Sequence, residues 1–137
     1  MKKGMKILVA YDGSPQSKDA LKEATDIIRE FSGEMTVLHV YWDPEIREYD
    51  GTEIRDRPSL RLLDDIKNTL DESCVKYKFR SEHHPNTPRA ILNIAENEKY
   101  DMIALGSRGI GRARAWLLGS VSNKVVSEAP CTVLVTK

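Results

Sequence analysis

The chain has few cysteines, no net charge and no long apolar run. Its 137 residues carry 21 Lys and Arg against 21 Asp and Glu, so binding to nucleic acid or to acidic membranes is not expected. No apolar run approaches the roughly 20 residues that a membrane helix needs. Cys74 and Cys131 are far apart and in no CxxC spacing, which favours reduced, structural thiols and a cytoplasmic protein.

Two common nucleotide-binding signatures are also missing. A P-loop has a lysine directly after its last glycine, whereas Ser120 follows Gly119 here. The dinucleotide fingerprint keeps its three glycines close to the first strand, whereas the glycine cluster of this chain lies between positions 106 and 119. Any nucleotide site in this chain therefore belongs to another class.

What the chain does contain is an alternation of short apolar runs and longer helical stripes. Its composition, 40% hydrophobic and 31% charged, is that of a globular protein, and residues 1–137 are expected to form one domain. Strands are predicted at 7–10, 35–41, 75–80, 102–105 and 132–136. Helices are predicted from Pro15 after a capping Ser14 to a terminating Gly33, around 63–70, from Thr87-Pro88 onward, and over 120–129, with a loop over 42–58.

The strand patterns also predict positions in a sheet. The first and fourth strands are apolar at every position, which is typical of strands buried on both faces. The third strand alternates apolar and charged residues, which favours a sheet edge with one wet face. Because parallel strands need crossover connections, the alternating order predicts a doubly wound α/β fold: an open, five-stranded parallel sheet with helices on both faces.

Candidate ligand-binding residues follow the two strands that are expected to be central. Asp12 comes just after the first strand, and a glycine-rich segment follows the fourth. Ligands of open parallel sheets bind at the carboxyl ends of strands where the strand order reverses, so these two loops are expected to share one crevice. Glycines allow close backbone approach, and the helix start near Gly119 and Ser120 offers unpaired N–H groups, which together predict a site for a phosphate chain.

Three arginines, Arg108, Arg112 and Arg114, lie in the same glycine-rich segment. One or two of them are expected to reach phosphate, and Arg108 is taken as a candidate site residue. The competing interpretation is that all three are solvated.

The glycine spacing resembles the ATP-binding signature of the universal stress protein family. It reads Gly106-x2-Gly109-x9-Gly119-Ser120, and segments 9–14 and 129–135 match the family as well. The resemblance spans essentially the whole chain. It implies an adenine nucleotide α-hydrolase-like sheet with strand order 3-2-1-4-5.

The resemblance also implies roles for individual residues. In ATP-binding members the acid after the first strand contacts the nucleoside, and Asp12 matches it, with Ala10 and Tyr11 beside it. A residue late in the second strand, here Val40, lines the adenine pocket. The phosphates are held by the residues that match the signature, Gly106, Gly109, Gly119 and Ser120, and Val121 lies next to them.

Cofactor and partner expectations follow from the same resemblance. The ligand is expected to be ATP or another adenine nucleotide, with Mg²⁺ or Mn²⁺ and with no side-chain metal ligand assigned. A homodimer is expected through the last strand, at Val133 and Val135. The loop over 83–88 departs from the family, which often has a glycine there.

Several candidates also have a purely structural interpretation. Asp12 belongs to an Asp-Gly-Ser sequence with ordinary turn chemistry, and Val40 and Val121 are primarily core residues. His83 and His84 are adjacent on an edge strand, so their side chains point in opposite directions and make a poor metal pair.

Three functional hypotheses are compatible with these sequence features. The leading one is an ATP-binding regulatory or stress-response protein. The second is a slow ATPase or a nucleotidyl transferase, although no base can be named and the Ser-Gly-Gly-x-Asp-Ser loop of such transferases is not found after the first strand. The third is a dimerisation module without a ligand. A flavodoxin-like carrier fits less well, because Ser14 and Ser17 are too few for a flavin-phosphate loop.

Overall fold

A computed structural model describes residues 2–45, 57–107 and 118–137 of the chain. Strands and helices alternate throughout the described part. The strands are β1 (Lys6–Ala10), β2 (Glu34–Tyr41), β3 (Lys76–His83), β4 (Met102–Gly106) and β5 (Thr132–Thr136). The helices are α1 (Pro15–Phe31), α2 (Arg57–Glu72), α3 (Thr87–Asn97) and α4 (Ser120–Glu128).

The five strands form one parallel sheet in the order β3-β2-β1-β4-β5, which confirms the predicted topology. β1 lies in the centre, where Ile7 is opposite Met35 on one side and Met102 on the other. The chain builds outward from β1 through β2 to β3 and then returns to β4. The strand order therefore reverses between β1 and β4, and their carboxyl ends lie side by side.

Each face of the sheet is covered by two helices. On the first face, which we call the α1/α2 face, Ile7 and Val9 pack with Ala24 and Ile28 of α1 and with Leu70 of α2. On the opposite face, the α3/α4 face, Leu8 packs with Ile91 and Ile94 of α3 and with Val125 of α4. Alternate residues of β1 thus serve opposite cores, which explains why residues 7–10 of the strand are all apolar.

The first helix begins as predicted but ends differently. Ser14 is the N-cap, its hydroxyl oxygen accepts the Ser17 N–H at 3.2 Å, and Pro15 opens the helix. The left-handed C-cap residue is Ser32, with φ of 53°, and not Gly33. Gly33 is needed for another reason, because a Cβ there would lie 2.1 Å from the carbonyl oxygen of Met5.

The third helix begins at Thr87, as predicted, and other element ends differ from the prediction. The N-cap of this helix is Asn86, whose side-chain oxygen accepts the Arg89 N–H at 3.0 Å. Strand β3 continues to His83, three residues beyond its predicted end. Helix α2 begins at Arg57, so Pro58 belongs to the helix and not to the predicted loop. Within the described ranges no helix is both long and apolar enough to cross a bilayer.

Candidate functional site

The carboxyl end of β1 is held by a serine-capped turn. The Asp12 carboxylate accepts the Ser14 N–H at 2.9 Å, and the Asp12 N–H donates to the Ser17 hydroxyl at 3.4 Å. Gly13, between them, has φ of +83°, a conformation that favours glycine. One carboxylate oxygen of Asp12 therefore fixes the turn, and the partly buried side chain stays at the end of the strand.

Three of the predicted pocket residues lie on the same side of the sheet. Ala10, Val40 and Val121 are all partly buried and all pack against the α3/α4 core. They come from the ends of β1 and β2 and from the first turn of α4. The structure therefore puts Val40, the residue predicted to line an adenine pocket, on the same side of the sheet as Ala10 and Val121.

Tyr11 lies on the other side. Its ring is only 2% exposed and packs in the α1/α2 core, as strand alternation requires for the neighbour of Ala10. Burial, followed by the nearby carboxylates of Asp65 and Asp12, raises the pKa of the Tyr11 phenol. A ligand on the Ala10 side of the sheet could therefore contact only the backbone of Tyr11.

The start of α4 is fastened to the end of β4 by a single carbonyl group. The Ser107 oxygen accepts the Gly119 N–H at 2.6 Å and the Ser122 hydroxyl at 2.7 Å. The Ser107 N–H donates to Thr136 at the end of β5, at 2.6 Å. These contacts place the N-terminus of α4 at the carboxyl edge of the sheet, beside the point where the strand order reverses.

The first turn of α4 is suited to an anion. Its N-cap is Gly119, which provides no side-chain cap, and Ser120 at the first helical position is exposed. The first N–H groups of a helix have no partner within the helix and carry a partial positive charge. A phosphate at this end would accept hydrogen bonds from them, as at other helix N-termini.

Gly106 has a packing role that its motif does not reveal. A Cβ on Gly106 would lie 2.6 Å from the Gln16 Cβ and 2.9 Å from the Ser17 nitrogen. The absence of a side chain therefore allows the first turn of α1 to lie directly on the end of β4. This close approach brings the Asp12 turn next to the residue that holds α4.

Several predicted residues lie outside the described ranges, namely Arg108, Gly109, Arg112 and Arg114. Their roles in binding phosphate stay predictions. Among the described candidates, the structure brings Asp12, Gly106, Gly119 and Ser120 to neighbouring strand ends and separates the Tyr11 side chain from them.

Sequence reasoning missed three serines that organise this region: Ser17, Ser107 and Ser122. All three are buried and each takes part in a hydrogen bond described above. Ser122 had a detectable signal, since a polar residue lies on the buried side of a short helix near Val121 and Val125. Ser107 had none, because its carbonyl contacts depend on where α4 returns in space.

The histidines do not form a metal centre with one another. The Nε2 atom of His83 lies 3.0 Å from the Asp43 nitrogen, whereas Nδ1 of His84 accepts the Asn86 N–H at 2.9 Å. In the described part of the chain, no group of three or more His, Cys, Asp or Glu side chains is arranged to hold a metal ion.

Comparison with known proteins identifies the family of this chain. The sequence profile of the universal stress protein family matches residues 5–137. This chain belongs to the universal stress protein family. Among similar members, the "Universal stress protein in QAH/OAS sulfhydrylase 3'region" of Thermus aquaticus is 33% identical over 135 residues, covering 96% of this chain and 97% of that protein. Universal stress protein YxiE of Bacillus subtilis is 31% identical over 145 residues, covering 96% and 98%.

Solved structures of universal stress proteins have the same fold. A universal stress protein in complex with cAMP aligns with a TM-score of 0.77 at 19% identity, covering 97% of each chain. The protein from Archaeoglobus fulgidus in complex with dAMP aligns with a TM-score of 0.71 at 20% identity, covering 97% of this chain and 98% of that one. A family member from Arabidopsis thaliana with AMP bound gives 0.69 at 20% identity, covering 97% and 91%.

Proposed function

We propose that this universal stress protein binds ATP in the crevice between the carboxyl ends of β1 and β4, and that it acts as a nucleotide-responsive regulator. The observation that carries the proposal is the first turn of α4, which has no side-chain cap and is tied through Ser107 to the end of β4. Open parallel sheets bind their ligands at this type of position. Three solved relatives of the same fold carry cAMP, dAMP or AMP, which supports an adenine nucleotide.

The phosphate chain is proposed to lie along the glycine-rich segment. Gly119 and Ser120 would supply backbone N–H groups and a hydroxyl, and Gly109 and Arg108 would complete the contacts. Mg²⁺ usually keeps several waters and binds substrate phosphates with only one or two carboxylates. The described side chains fit that arrangement and not a cage built by the protein alone, so Mg²⁺ or Mn²⁺ would be held mainly by phosphate oxygens and water.

The nucleoside is proposed to lie over the small side chains at the ends of β1 and β2. Ala10, Val40 and Val121 would contact the adenine, because all three pack on the α3/α4 side with part of their surface still exposed. The Asp12 carboxylate has acceptor capacity beyond its bond to the Ser14 N–H, and would accept a hydrogen bond from the nucleoside. The Tyr11 backbone would lie along the same edge.

The same protein is proposed to form a homodimer through β5. This strand is at the edge of the sheet and, among the described strands, pairs only with β4, so its outer edge offers backbone groups for pairing with another strand. Val133 and Val135 are partly buried against the α3/α4 core. A second copy pairing along β5 would cover both the edge and the remaining surface of these valines.

Titration calorimetry with ATP and Mg²⁺ tests the nucleotide proposal, with Ser120→Asp as the informative variant. A carboxylate at the first turn of α4 interacts favourably with the helix dipole, so the fold should be kept. The same carboxylate repels phosphate, so we expect the affinity for ATP to fall by about tenfold or more. Ser127→Asp adds the same charge at an exposed position of the last turn of α4, and should change affinity by less than about twofold.

Two results would contradict the proposal. One is the absence of heat and of a thermal shift at millimolar ATP. The other is an equal loss of affinity in both variants, which would place the phosphates away from the start of α4. Mass spectrometry of nucleotide released from the purified protein would distinguish bound ATP from ADP or AMP.

A further inference from the structure

A groove of about 730 Å³ lies between α1 and α2, on the face of the sheet opposite Ala10, Val40 and Val121. We propose that this groove is a second ligand site and that it takes a small anion with an apolar body. The site is separate from the proposed nucleotide crevice and does not depend on it. Its volume is within the range of about 300–1,000 Å³ that is usual for small-molecule sites.

The floor of the groove contains a polar atom that the protein does not satisfy. The Tyr11 hydroxyl is buried and has no hydrogen-bond partner among the described residues, and Tyr11 lines the groove. Most buried hydroxyl groups in proteins are hydrogen-bonded, because an unpaired one loses its contacts with water and gains nothing. A ligand oxygen in the groove would accept this hydrogen bond.

The charges along the groove favour an anion. Lys18 and Lys22 lie one turn apart on α1 and make no ion pair with any residue that the structure describes, whereas Arg29 is already paired with Asp26 at 3.3 Å. The carboxylate of Asp65, on α2, is the opposing charge. The two unpaired ammonium groups exceed the one unpaired carboxylate, so the groove has a net attraction for a negative group.

The walls require the rest of the ligand to be apolar. Leu21 of α1 and Ile66 and Leu70 of α2 line the groove between the charged rim and the core. These side chains are almost fully buried, yet the groove leaves part of their surface open to a ligand. An apolar body would displace water from them, while the acidic group accepts the hydrogen bond of the Tyr11 hydroxyl and attracts the ammonium groups of Lys18 and Lys22.

Fluorescence titration with 8-anilinonaphthalene-1-sulfonate tests this inference, because that probe combines an apolar body with one sulfonate. We expect saturable binding, and we expect Lys22→Glu to weaken it by about tenfold. Lys67→Glu is the matched control, since Lys67 is an exposed residue of α2 that does not line the groove, and it should change affinity by less than about twofold. The neutral analogue N-phenyl-1-naphthylamine should bind about tenfold more weakly than the sulfonate.

Tyr11→Phe examines the floor of the groove. It removes the unpaired hydroxyl and keeps the ring, so the affinity for the sulfonate should fall by about threefold to tenfold. The inference would be overturned by no saturable binding, by equal losses in Lys22→Glu and Lys67→Glu, by equal affinity for the neutral analogue, or by an unchanged affinity in Tyr11→Phe. None of these readouts uses ATP, so failure here and failure of the nucleotide proposal are distinguishable.

Discussion

Each face of the sheet buries a tyrosine, and the two faces treat its hydroxyl group differently. On the α3/α4 face Tyr100 is 5% exposed, and its Oη atom lies 2.7 Å from the Thr36 hydroxyl. On the α1/α2 face Tyr11 is 2% exposed, and its hydroxyl has no partner in the described part of the chain. The two tyrosines are therefore similarly buried, but only the hydroxyl of Tyr100 has a hydrogen-bond partner among the described residues.

This difference corresponds to the use that we propose for each face. The α3/α4 face is closed around Tyr100, and its partly buried Ala10 and Val121 lie where β1 ends and where α4 begins. The α1/α2 face leaves a groove above Tyr11. A satisfied hydroxyl stabilises a core, whereas an unsatisfied one beside an open groove suggests that something from outside completes it.

The largest effect is expected for Gly106→Ala, which would disturb the packing of α1 against the end of β4 on the α1/α2 face. The new Cβ would lie 2.6 Å from the Gln16 Cβ, 2.8 Å from the Gln16 carbonyl carbon and 2.9 Å from the Ser17 nitrogen. Such atoms cannot move away as the far end of a flexible side chain can. We expect a loss of about 3 kcal/mol in the free energy of unfolding, measured by urea denaturation.

Gly4→Ala is the control for Gly106→Ala. Gly4 has φ of +75°, but a methyl group added there would have no atom within 4 Å, so only backbone strain of about 1 kcal/mol is expected. Equal losses in the two variants would mean that α1 does not lie as closely on β4 as the structure shows.

The next effect is expected for Tyr100→Phe. This change removes the contact with Thr36, whose hydroxyl group is almost fully buried, and leaves that hydroxyl unpaired. Stability should fall by about 1–2 kcal/mol in urea denaturation. Adding Thr36→Val to the same protein should recover part of the loss, because both polar partners are then gone. If the double variant loses at least as much unfolding free energy as the two single variants together, the result would argue against this pairing.

A smaller change of opposite sign is expected for Tyr11→Phe. No hydrogen bond within the described chain is lost, so the free energy of unfolding should stay constant or rise by up to about 1 kcal/mol. The same denaturation assay applies. A loss as large as that of Tyr100→Phe would abolish the contrast between the faces and would indicate that the Tyr11 hydroxyl is already bonded.

The last effect is absent at neutral pH and concerns only alkaline solution. Burial raises the pKa of both Tyr11 and Tyr100, and for Tyr11 the carboxylates of Asp65 and Asp12 raise it further. A phenol whose pKa is higher in the folded state retains its proton when the unfolded chain has lost it. Its stabilising contribution is thus complete below about pH 10 and declines above it, by at most about 1.4 kcal/mol per pH unit for each group.

Stability measured from neutral to alkaline pH should therefore decrease less steeply in Tyr11→Phe and in Tyr100→Phe than in the parent protein. Absorbance at the tyrosinate band should show one late-titrating phenol fewer in each variant. An identical alkaline profile for all three proteins would contradict the raised pKa values.

Much of the fold could be predicted because it depends on local patterns. The apolar run at β1 indicated its central position, and Ser14 with Pro15 marked the start of α1. The family resemblance then supplied the strand order, which the structure confirms. The placement of Asp12 and of the start of α4 after neighbouring strands follows from that order.

The remainder depends on contacts between distant segments. Nothing near Ser107 indicates that its carbonyl group will receive both Gly119 and Ser122, since this requires α4 to return to β4. The left-handed residue is Ser32, and Gly33 lies close to the backbone of Met5, a contact with a segment that is distant in sequence. The groove above Tyr11 arises from the separation of two helices that are distant in sequence.

The most direct test of the central claim is an amide chemical-shift map of the labelled protein with ATP and Mg²⁺. The proposed crevice predicts that the amides of Asp12, Gly119, Ser120 and Val121 respond to the nucleotide, whereas Thr69 and Ser73 on the α1/α2 face do not. Shifts confined to the α1/α2 face, or no shifts at millimolar ATP, would contradict it.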